Sequence, residues 1–168
     1  YSWHSRDDYT NNTYSIRNAY YGSLDGSINT NSLATVIAGV NPTLDTKIKN
    51  AIKAAAEAIQ DIPQPFRNHI ASDETVVAMN ACADLESLLK NDLKSYISNN
   101  NNGINSDAVL NPVVTRYVDA VVVPTYKNLK EKNDALYNAV IALADNPSNK
   151  AFETACAAWI CLLYTSDA

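Results

Sequence analysis

The sequence predicts an all-α protein, a helical bundle of about five to six helices. Apolar residues recur every three or four positions through most of the 168-residue chain, which is the spacing of an amphipathic helix. Asn41-Pro42, Ser72 and Asn146-Pro147 each precede such a stripe, as is typical of helix starts. Residues 121–123 are the one β-branched run that could form a strand, and no second strand is visible with which it could pair. We therefore favour helix throughout.

The first two helices lie before residue 40. The first begins at Ser5, which can cap it, and ends at Gly22. A polar loop follows, and a short helix is expected over residues 32–38, closed by Gly39. The residues of the first helix that we expect to face the core are Tyr9, Thr13, Ile16 and Tyr20.

Two stronger helices follow. One begins at Asn41-Pro42, because proline suits the first turn, and stops at Pro63 and Pro65. The next begins at Ser72, whose hydroxyl can cap it. The expected inward residues of the first are Leu44, Ile48, Ile52, Ala55 and Ile59, and those of the second are Ala78, Cys82, Leu85, Leu89, Leu93 and Tyr96.

A boundary is predicted at residues 99–105, where four asparagines and a glycine have the composition of a flexible linker. Residues 106–145 are expected to form one long helix, kinked or split at Pro124. The last helix is expected to start at Asn146-Pro147. The inward residues of this region are predicted to be Leu110, Val114, Tyr117, Val121, Leu129, Leu136, Val140, Leu143, Phe152, Ala155 or Cys156, and Trp159.

Composition argues against a nucleic-acid partner and against a transmembrane segment. The chain has 13 Lys and Arg against 18 Asp and Glu, a net charge of -5. Since nucleic-acid binding depends on basic residues that displace counterions, we expect no nucleic-acid partner. No apolar run approaches the roughly 20 residues of a membrane-spanning helix, so we expect no transmembrane segment. The three cysteines have no metal-type spacing and cannot form a closed disulfide framework.

Both ends of the sequence are expected to be cut. Residue 1 is Tyr rather than Met, and no signal sequence precedes the first helix. Residues 161–168 look like one reading frame of a sequencing adaptor, so we interpret them as a non-native tail. In the alternative interpretation, Leu162 and Leu163 simply finish the last helix.

Few residues suggest chemistry by their own spacing. His4 and Asp8 are four apart, as metal ligands on one helical face can be, but a cap at Ser5 would leave His4 outside the helix. His69 lies in a turn without a second histidine nearby, which favours a solvated loop residue. Phosphate-binding glycine loops and the Gly-x-Ser-x-Gly elbow are absent. Cys156 has no histidine near it in sequence and is interpreted as a core residue.

Two blocks of the sequence carry a family resemblance. The residues of the first block are Ser2-Trp3-His4-Ser5, Asp8, Asn12, 15–22, Ser32-Leu33, 41–47 and 62–66, and those of the second are 109–118, 122–129 and 158–160. The first block resembles the C-terminal third of imelysin-like proteins, and the second resembles their N-terminal start. Because this order is the reverse of one copy, we expect a tandem protein: residues 1–98 finish one unit, 99–105 link, and 106–160 begin the next.

The resemblance implies a bacterial cell-envelope protein, periplasmic or lipid-anchored at the outer membrane. It implies peptidase activity, for which the family was named, or a part in iron or haem uptake. The family's proposed metal signature, Gly-x-His-x-x-Glu, is absent from this chain. The resemblance places His4, Ser5, Asp8 and Asn12 in a polar cluster at the edge of a ligand-binding site whose main ligands lie elsewhere.

Three hypotheses about function follow. The leading one is binding of iron or haem in iron acquisition, with iron or another divalent metal held by the full-length protein and an envelope protein as a further partner. The second is a metallopeptidase, of which this fragment carries no catalytic residue. The third is a helical interaction module without a metal.

Overall fold

A computed structural model describes residues 5–99 and 103–166, with side chains described as far as Leu163. It confirms the all-α fold, and the described residues contain no strand. The helices are α1 (Ser5–Tyr21), α2 (Leu33–Val40), α3 (Pro42–Gln60), α4 (Asp73–Ser87), α5 (Lys94–Ser98), α6 (Asp107–Tyr117), α7 (Val123–Asp145) and α8 (Asn149–Ser166). A 3-10 turn covers Phe66–Asn68, and π turns Leu88–Leu93 and Val118–Val122 join α4 to α5 and α6 to α7. When the helices joined by a π turn are counted as one, the described ranges hold six helices, in agreement with the predicted five to six.

The chain divides into two compact units, Tyr1–Val121 and Val122–Ala168. Within the first unit, Ile104 is buried in the core, and the Nε of Arg116 donates a 3.0 Å hydrogen bond to the carbonyl oxygen of Gly22. The linker at residues 99–105 and the assignment of residues 1–98 and 106–160 to successive family units stay predictions.

The core of the first unit is built around α3, which packs against α1, α2 and α4. All five residues of its predicted apolar stripe are buried, which confirms that face. The stripe predicted for α4 is buried at Ala78, Leu85 and Leu93 but not at Cys82, which is exposed. Ile37 and Ile48 are wholly buried at the centre.

Asn41 forms the corner between α2 and α3. Its backbone N–H donates to the carbonyl of Ile37 at 2.7 Å, and its side-chain Oδ1 accepts from the backbone N–H of Leu44 at 3.1 Å. One residue therefore ends one helix and caps the next, and Pro42 occupies the first turn as predicted. Gly39 does not close α2 as predicted, because it lies inside the helix, which continues to Val40.

The stretch before Pro124 is helical, so the strand alternative for residues 121–123 does not occur. A π turn, Val118–Val122, ends two residues before the proline. Proline lacks a backbone N–H and its ring crowds the carbonyl four residues earlier, and a π turn relieves this by widening the backbone. Pro124 therefore interrupts regular α-helical geometry, as the sequence predicts.

The second unit is a hairpin of α7 and α8. The Oγ of Ser148 accepts from the backbone N–H of Ala151 at 3.1 Å, so α8 begins two residues later than the predicted Asn146-Pro147 start. No residue of α7 is buried, and Ala155 is the one buried residue among the described side chains of α8. The expectation that Val140, Phe152 and Trp159 face a core is wrong in this structure, because all three are exposed.

None of the helices within the described ranges combines the length and the hydropathy needed to cross a membrane.

Candidate functional site

An open apolar groove of about 630 Å³ lies on the first unit. One wall is α1, the floor is the C-terminal end of α3, and the other wall is α4 with the turn that precedes it. The lining residues are Tyr9, Asn12, Thr13, Ile16, Ile59, Ile62, Phe66, Ile70, Thr75, Ala78, Met79, Cys82, Ala83 and Glu86. A cavity of this size, apolar with a few polar groups at its edge, is typical of a ligand-binding site.

Hydrogen bonds fix the wall formed by α1 against the end of α3. The Nη1 of Arg6 donates to the carbonyl oxygen of Gln60 at 3.1 Å. The Nε2 of Gln60 in turn donates to the Oγ1 of Thr10 at 2.7 Å and to the Oδ1 of Asp7 at 3.4 Å. Because these bonds tie the first half of α1 to α3, they hold the groove-lining side chains of α1 in place.

The opposite wall is set by the segment before α4. A cis Gln64-Pro65 peptide bond leads into the 3-10 turn that presents Phe66 to the groove. The Oγ of Ser72 accepts from the backbone N–H of Thr75 at 3.4 Å, which confirms the predicted cap. The Oγ1 of Thr75 donates to the carbonyl of His69 at 2.7 Å. This hydrogen bond ties the 3-10 turn to the first turn of α4.

Aromatic contact joins the two walls at one end of the groove. The rings of Tyr9 and Phe66 lie 5.4 Å apart between centroids, at an interplanar angle of 40°. This is a tilted pair of the kind that aromatic quadrupoles favour. A flat apolar ligand entering the groove would therefore meet aromatic surface at this end.

Two sulfur-bearing side chains lie on the α4 wall. Met79 and Cys82 are three residues apart, so both project from one side of the helix, and both line the groove. Partial burial raises the pKa of the Cys82 thiol above its ordinary value, which keeps it protonated at neutral pH. Cys82 is therefore a poor nucleophile, while the Met79 thioether needs no deprotonation to act as a ligand.

The structure brings one of the four predicted site residues to this groove. Asn12 lines it, whereas Ser5 and Asp8 are half-buried on α1 and do not line it. His4 lies outside the described residues. A polar cluster of these four around a ligand stays a prediction.

His69 is half-buried and ends the 3-10 turn. Across residues 5–99 and 103–166, no group of three His, Cys, Asp or Glu side chains is placed to hold a metal ion.

Three of the groove residues that the sequence assigned to the core are exposed. Tyr9, Ile16 and Cys82 belong to apolar stripes and were expected to point inward, but each is exposed on the groove. A stripe identifies which side of a helix is apolar. The separation of α1 from α4, which opens the groove, depends on tertiary packing that spacing does not encode.

Comparison with known proteins identifies the chain's relatives. The family model for imelysin matches residues 1–91, more than half of the chain. The chain is 81% identical to a solved structure described as an imelysin peptidase from Bacteroides ovatus, with a TM-score of 0.92. The match covers 99% of this chain and 47% of that one, so this chain spans about half the length of its relative. A comparison with curated proteins found no significant match. The family resemblance is confirmed, and the chain belongs to the imelysin family.

Proposed function

We propose that this chain is part of a longer imelysin-family protein of the bacterial cell envelope, periplasmic or anchored at the outer membrane, that binds haem or iron during iron acquisition. Family membership supports the general assignment, and the 47% coverage of the Bacteroides ovatus structure supports a longer protein. Within the described residues, the groove is the feature best suited to a ligand.

The observation that carries the proposal is the chemistry of the groove. Haem is a flat apolar ring that carries a metal, and the groove combines apolar walls with the aromatic pair of Tyr9 and Phe66. Haem iron in proteins accepts Tyr, Met, Cys thiolate or His as ligands. Tyr9 and Met79 offer two of these on opposite walls. Cys82 is the weaker candidate, because the raised pKa of its thiol disfavours the thiolate.

Titration with haemin tests this function. Binding is followed by the change in the Soret absorption band of haemin as the 168-residue chain is added. We expect saturable one-to-one binding, weakened at least about tenfold by Met79→Leu and by Tyr9→Phe, because a lost ligand bond costs more than 1.4 kcal/mol. Tyr137→Phe, an exposed tyrosine change in the second unit, is the matched control and should bind as the wild-type chain does.

A Soret band that does not shift, or that shifts equally in all four proteins, would contradict haem binding by the groove. Titration with ferrous iron alone distinguishes haem from the free metal. Since no cluster of three metal-binding side chains occurs in the described ranges, we expect weak iron binding by this chain.

The second candidate function is that of a metallopeptidase. The Bacteroides ovatus relative is called an imelysin peptidase, and an apolar groove can bind the side chains of a peptide. On this proposal the catalytic metal lies in the part of the longer protein that this chain does not cover. Chelator-sensitive cleavage of casein by the longer protein, with no cleavage by this chain, would favour it. If neither haem binding nor cleavage is found, the interaction module without a metal becomes the preferred function.

A further inference from the structure

The apolar groove of the first unit continues beyond Glu86. A second open cavity of about 350 Å³ adjoins it and is bounded by α1, α4 and the π turn that follows α4. The residues that line both cavities are Thr13, Ile16, Cys82 and Glu86. The second cavity adds Leu85, Leu89 and Lys90. The two cavities therefore form one longer surface, which is called the extended groove.

The two ends of the extended groove differ in their chemistry. One end carries the aromatic pair of Tyr9 and Phe66. The other end carries Glu86 and Lys90, the charged residues among the described side chains that line the two cavities. A ligand that is apolar over most of its surface and anionic at one edge matches this arrangement, because its anion would meet the ammonium of Lys90.

The charge of Lys90 lies one helical turn before its own backbone position. Its Nζ is 3.5 Å from the Oε1 of Glu86, so the ammonium is level with Glu86. Glu86 follows Met79 by seven residues, which places the two on one face of α4, about 10 Å apart along the axis. Haem carries two propionate groups at one edge of the ring, outside the centre that holds the iron. A haem whose iron contacts Met79 can therefore turn its propionates toward Lys90.

The contact between Lys90 and Glu86 leaves the ammonium able to bind a further anion. Both side chains are exposed, by 71% and 70%, and ion pairs between exposed side chains contribute little to stability. An ammonium has three N–H donors, so Lys90 can donate to a propionate and to Glu86 at the same time. The carboxylate of Glu86 would repel that propionate, because both groups are negatively charged.

We propose that Lys90 binds a haem propionate and so sets the orientation of haem in the extended groove, and that Glu86 opposes this attraction. The inference rests on the proposed function, since it concerns the ligand of the same groove. It adds a specificity to that function: the groove distinguishes a porphyrin with free propionates from one whose propionates are uncharged. The aromatic pair of Tyr9 and Phe66 would then contact the apolar edge of the ring.

Titration with two porphyrins tests the proposal. The probes are haemin and haemin dimethyl ester, which keeps the iron and the ring but has no charged propionate. Binding to the 168-residue chain is followed by Soret absorption, in one dilute detergent buffer of low ionic strength, since salt screens exposed charges. The Kd of the ester divided by the Kd of haemin is called the propionate ratio. It isolates the interaction of the protein with the propionate charges from the contacts that both probes share.

Three variants identify the charges responsible. Lys90→Gln should lower the propionate ratio at least about threefold, because the ammonium that attracts the propionates is lost. Glu86→Gln should raise the ratio at least about twofold, because the repelling carboxylate is lost. Lys53→Gln is the matched control. Lys53 forms an equally exposed pair with Glu57 at 3.6 Å on α3 and lines neither cavity, so this variant has the same net charge as Lys90→Gln and should keep the wild-type ratio.

A propionate ratio that Lys90→Gln leaves unchanged, or that Lys53→Gln lowers equally, would overturn the inference. Haem binding by the groove would still stand in that case, because both probes would bind. A ratio that falls in Glu86→Gln would overturn the role given to Glu86, since its carboxylate would then position Lys90 for the propionate. If neither probe binds the wild-type chain, the proposed function fails and this inference fails with it.

Discussion

The hydroxyl of Tyr20 donates a 3.0 Å hydrogen bond to the Oδ1 of Asp45, joining α1 to α3 inside the first unit. Both residues are buried. The other carboxylate oxygen, Oδ2, accepts from the Nζ of Lys49 at 2.7 Å, one helical turn further along α3. Each oxygen of the buried carboxylate therefore has a partner, as a charge removed from water requires.

Removal of the Tyr20 hydroxyl should destabilise the first unit. Tyr20→Phe keeps the ring and leaves one oxygen of Asp45 without its donor, so we expect the free energy of unfolding to fall by about 1–3 kcal/mol. Urea denaturation followed by circular dichroism measures the change. Tyr137→Phe, at a tyrosine that is 65% exposed, should change stability by less than about 0.5 kcal/mol. Equal effects of the two changes would show that the bond to Asp45 contributes nothing.

The same tyrosine should make stability fall in alkaline solution. Burial, and next the charge of Asp45, raises the pKa of Tyr20 well above its ordinary value of 10.0. Above pH 10 the unfolded chain releases this proton while the folded chain keeps it, so the folded state binds more protons and stability decreases with rising pH. The expected slope for this group is at most about 1.4 kcal/mol per pH unit.

Urea denaturation between about pH 8 and pH 11 measures that slope. Tyr20→Phe should have a shallower alkaline slope than the wild-type chain, whereas Tyr137→Phe should keep the wild-type slope. Parallel curves for wild type and Tyr20→Phe would show that this tyrosine does not carry the effect.

The centre of the first unit should be sensitive to loss of volume. Ile48 on α3 is 0% exposed and lies in the main apolar cluster. Ile48→Ala removes three carbon atoms and leaves a cavity, so we expect a loss of about 2–5 kcal/mol in the free energy of unfolding. Val77→Ala, on the exposed side of α4, is the control and should cost less than about 0.5 kcal/mol. Thermal and urea unfolding would both record the difference, and a small effect at Ile48 would argue against this core.

The fold of the first unit was predictable where a helix has all of its partners within the chain. The α3 stripe is an example, because α1, α2 and α4 cover it and spacing alone identified its buried face. The start of α3 at Asn41 was also predictable, because asparagine is a common N-cap residue and proline suits the first turn of a helix.

Spacing failed where burial depends on distance between helices or on residues outside the chain. Tyr9 and Ile16 continue the α1 stripe, but α4 stands away from them and they line the groove. Phe152 and Trp159 have core-like spacing on a hairpin whose face is uncovered. Of the predicted site residues that the structure describes, Asn12 lines the groove and Ser5 and Asp8 do not, and the polar cluster that the family resemblance located stays a prediction.

Two glycines with left-handed backbone offer a paired test of the loop that follows α1. Gly22 has a φ of +68° and Gly103 a φ of +75°. A Cβ on Gly22 would lie 3.3 Å from both the Cγ of Arg116 and the Cβ of Ser32, whereas a Cβ on Gly103 would meet nothing within 4 Å. Both alanine variants should lose about 1–2 kcal/mol to backbone strain.

Gly22→Ala should lose more than Gly103→Ala, because a close contact with buried Ser32 is added to the strain. The Gly22 carbonyl also accepts from Arg116, so displacement of this loop would weaken that bond as well. Urea denaturation of the two variants gives the difference directly, with Gly103→Ala as the measure of strain alone. If Gly103→Ala were as destabilising as Gly22→Ala, the close contacts at Gly22 would add no cost to the backbone strain. The side chain of Arg116 would then move aside to relieve its close contact.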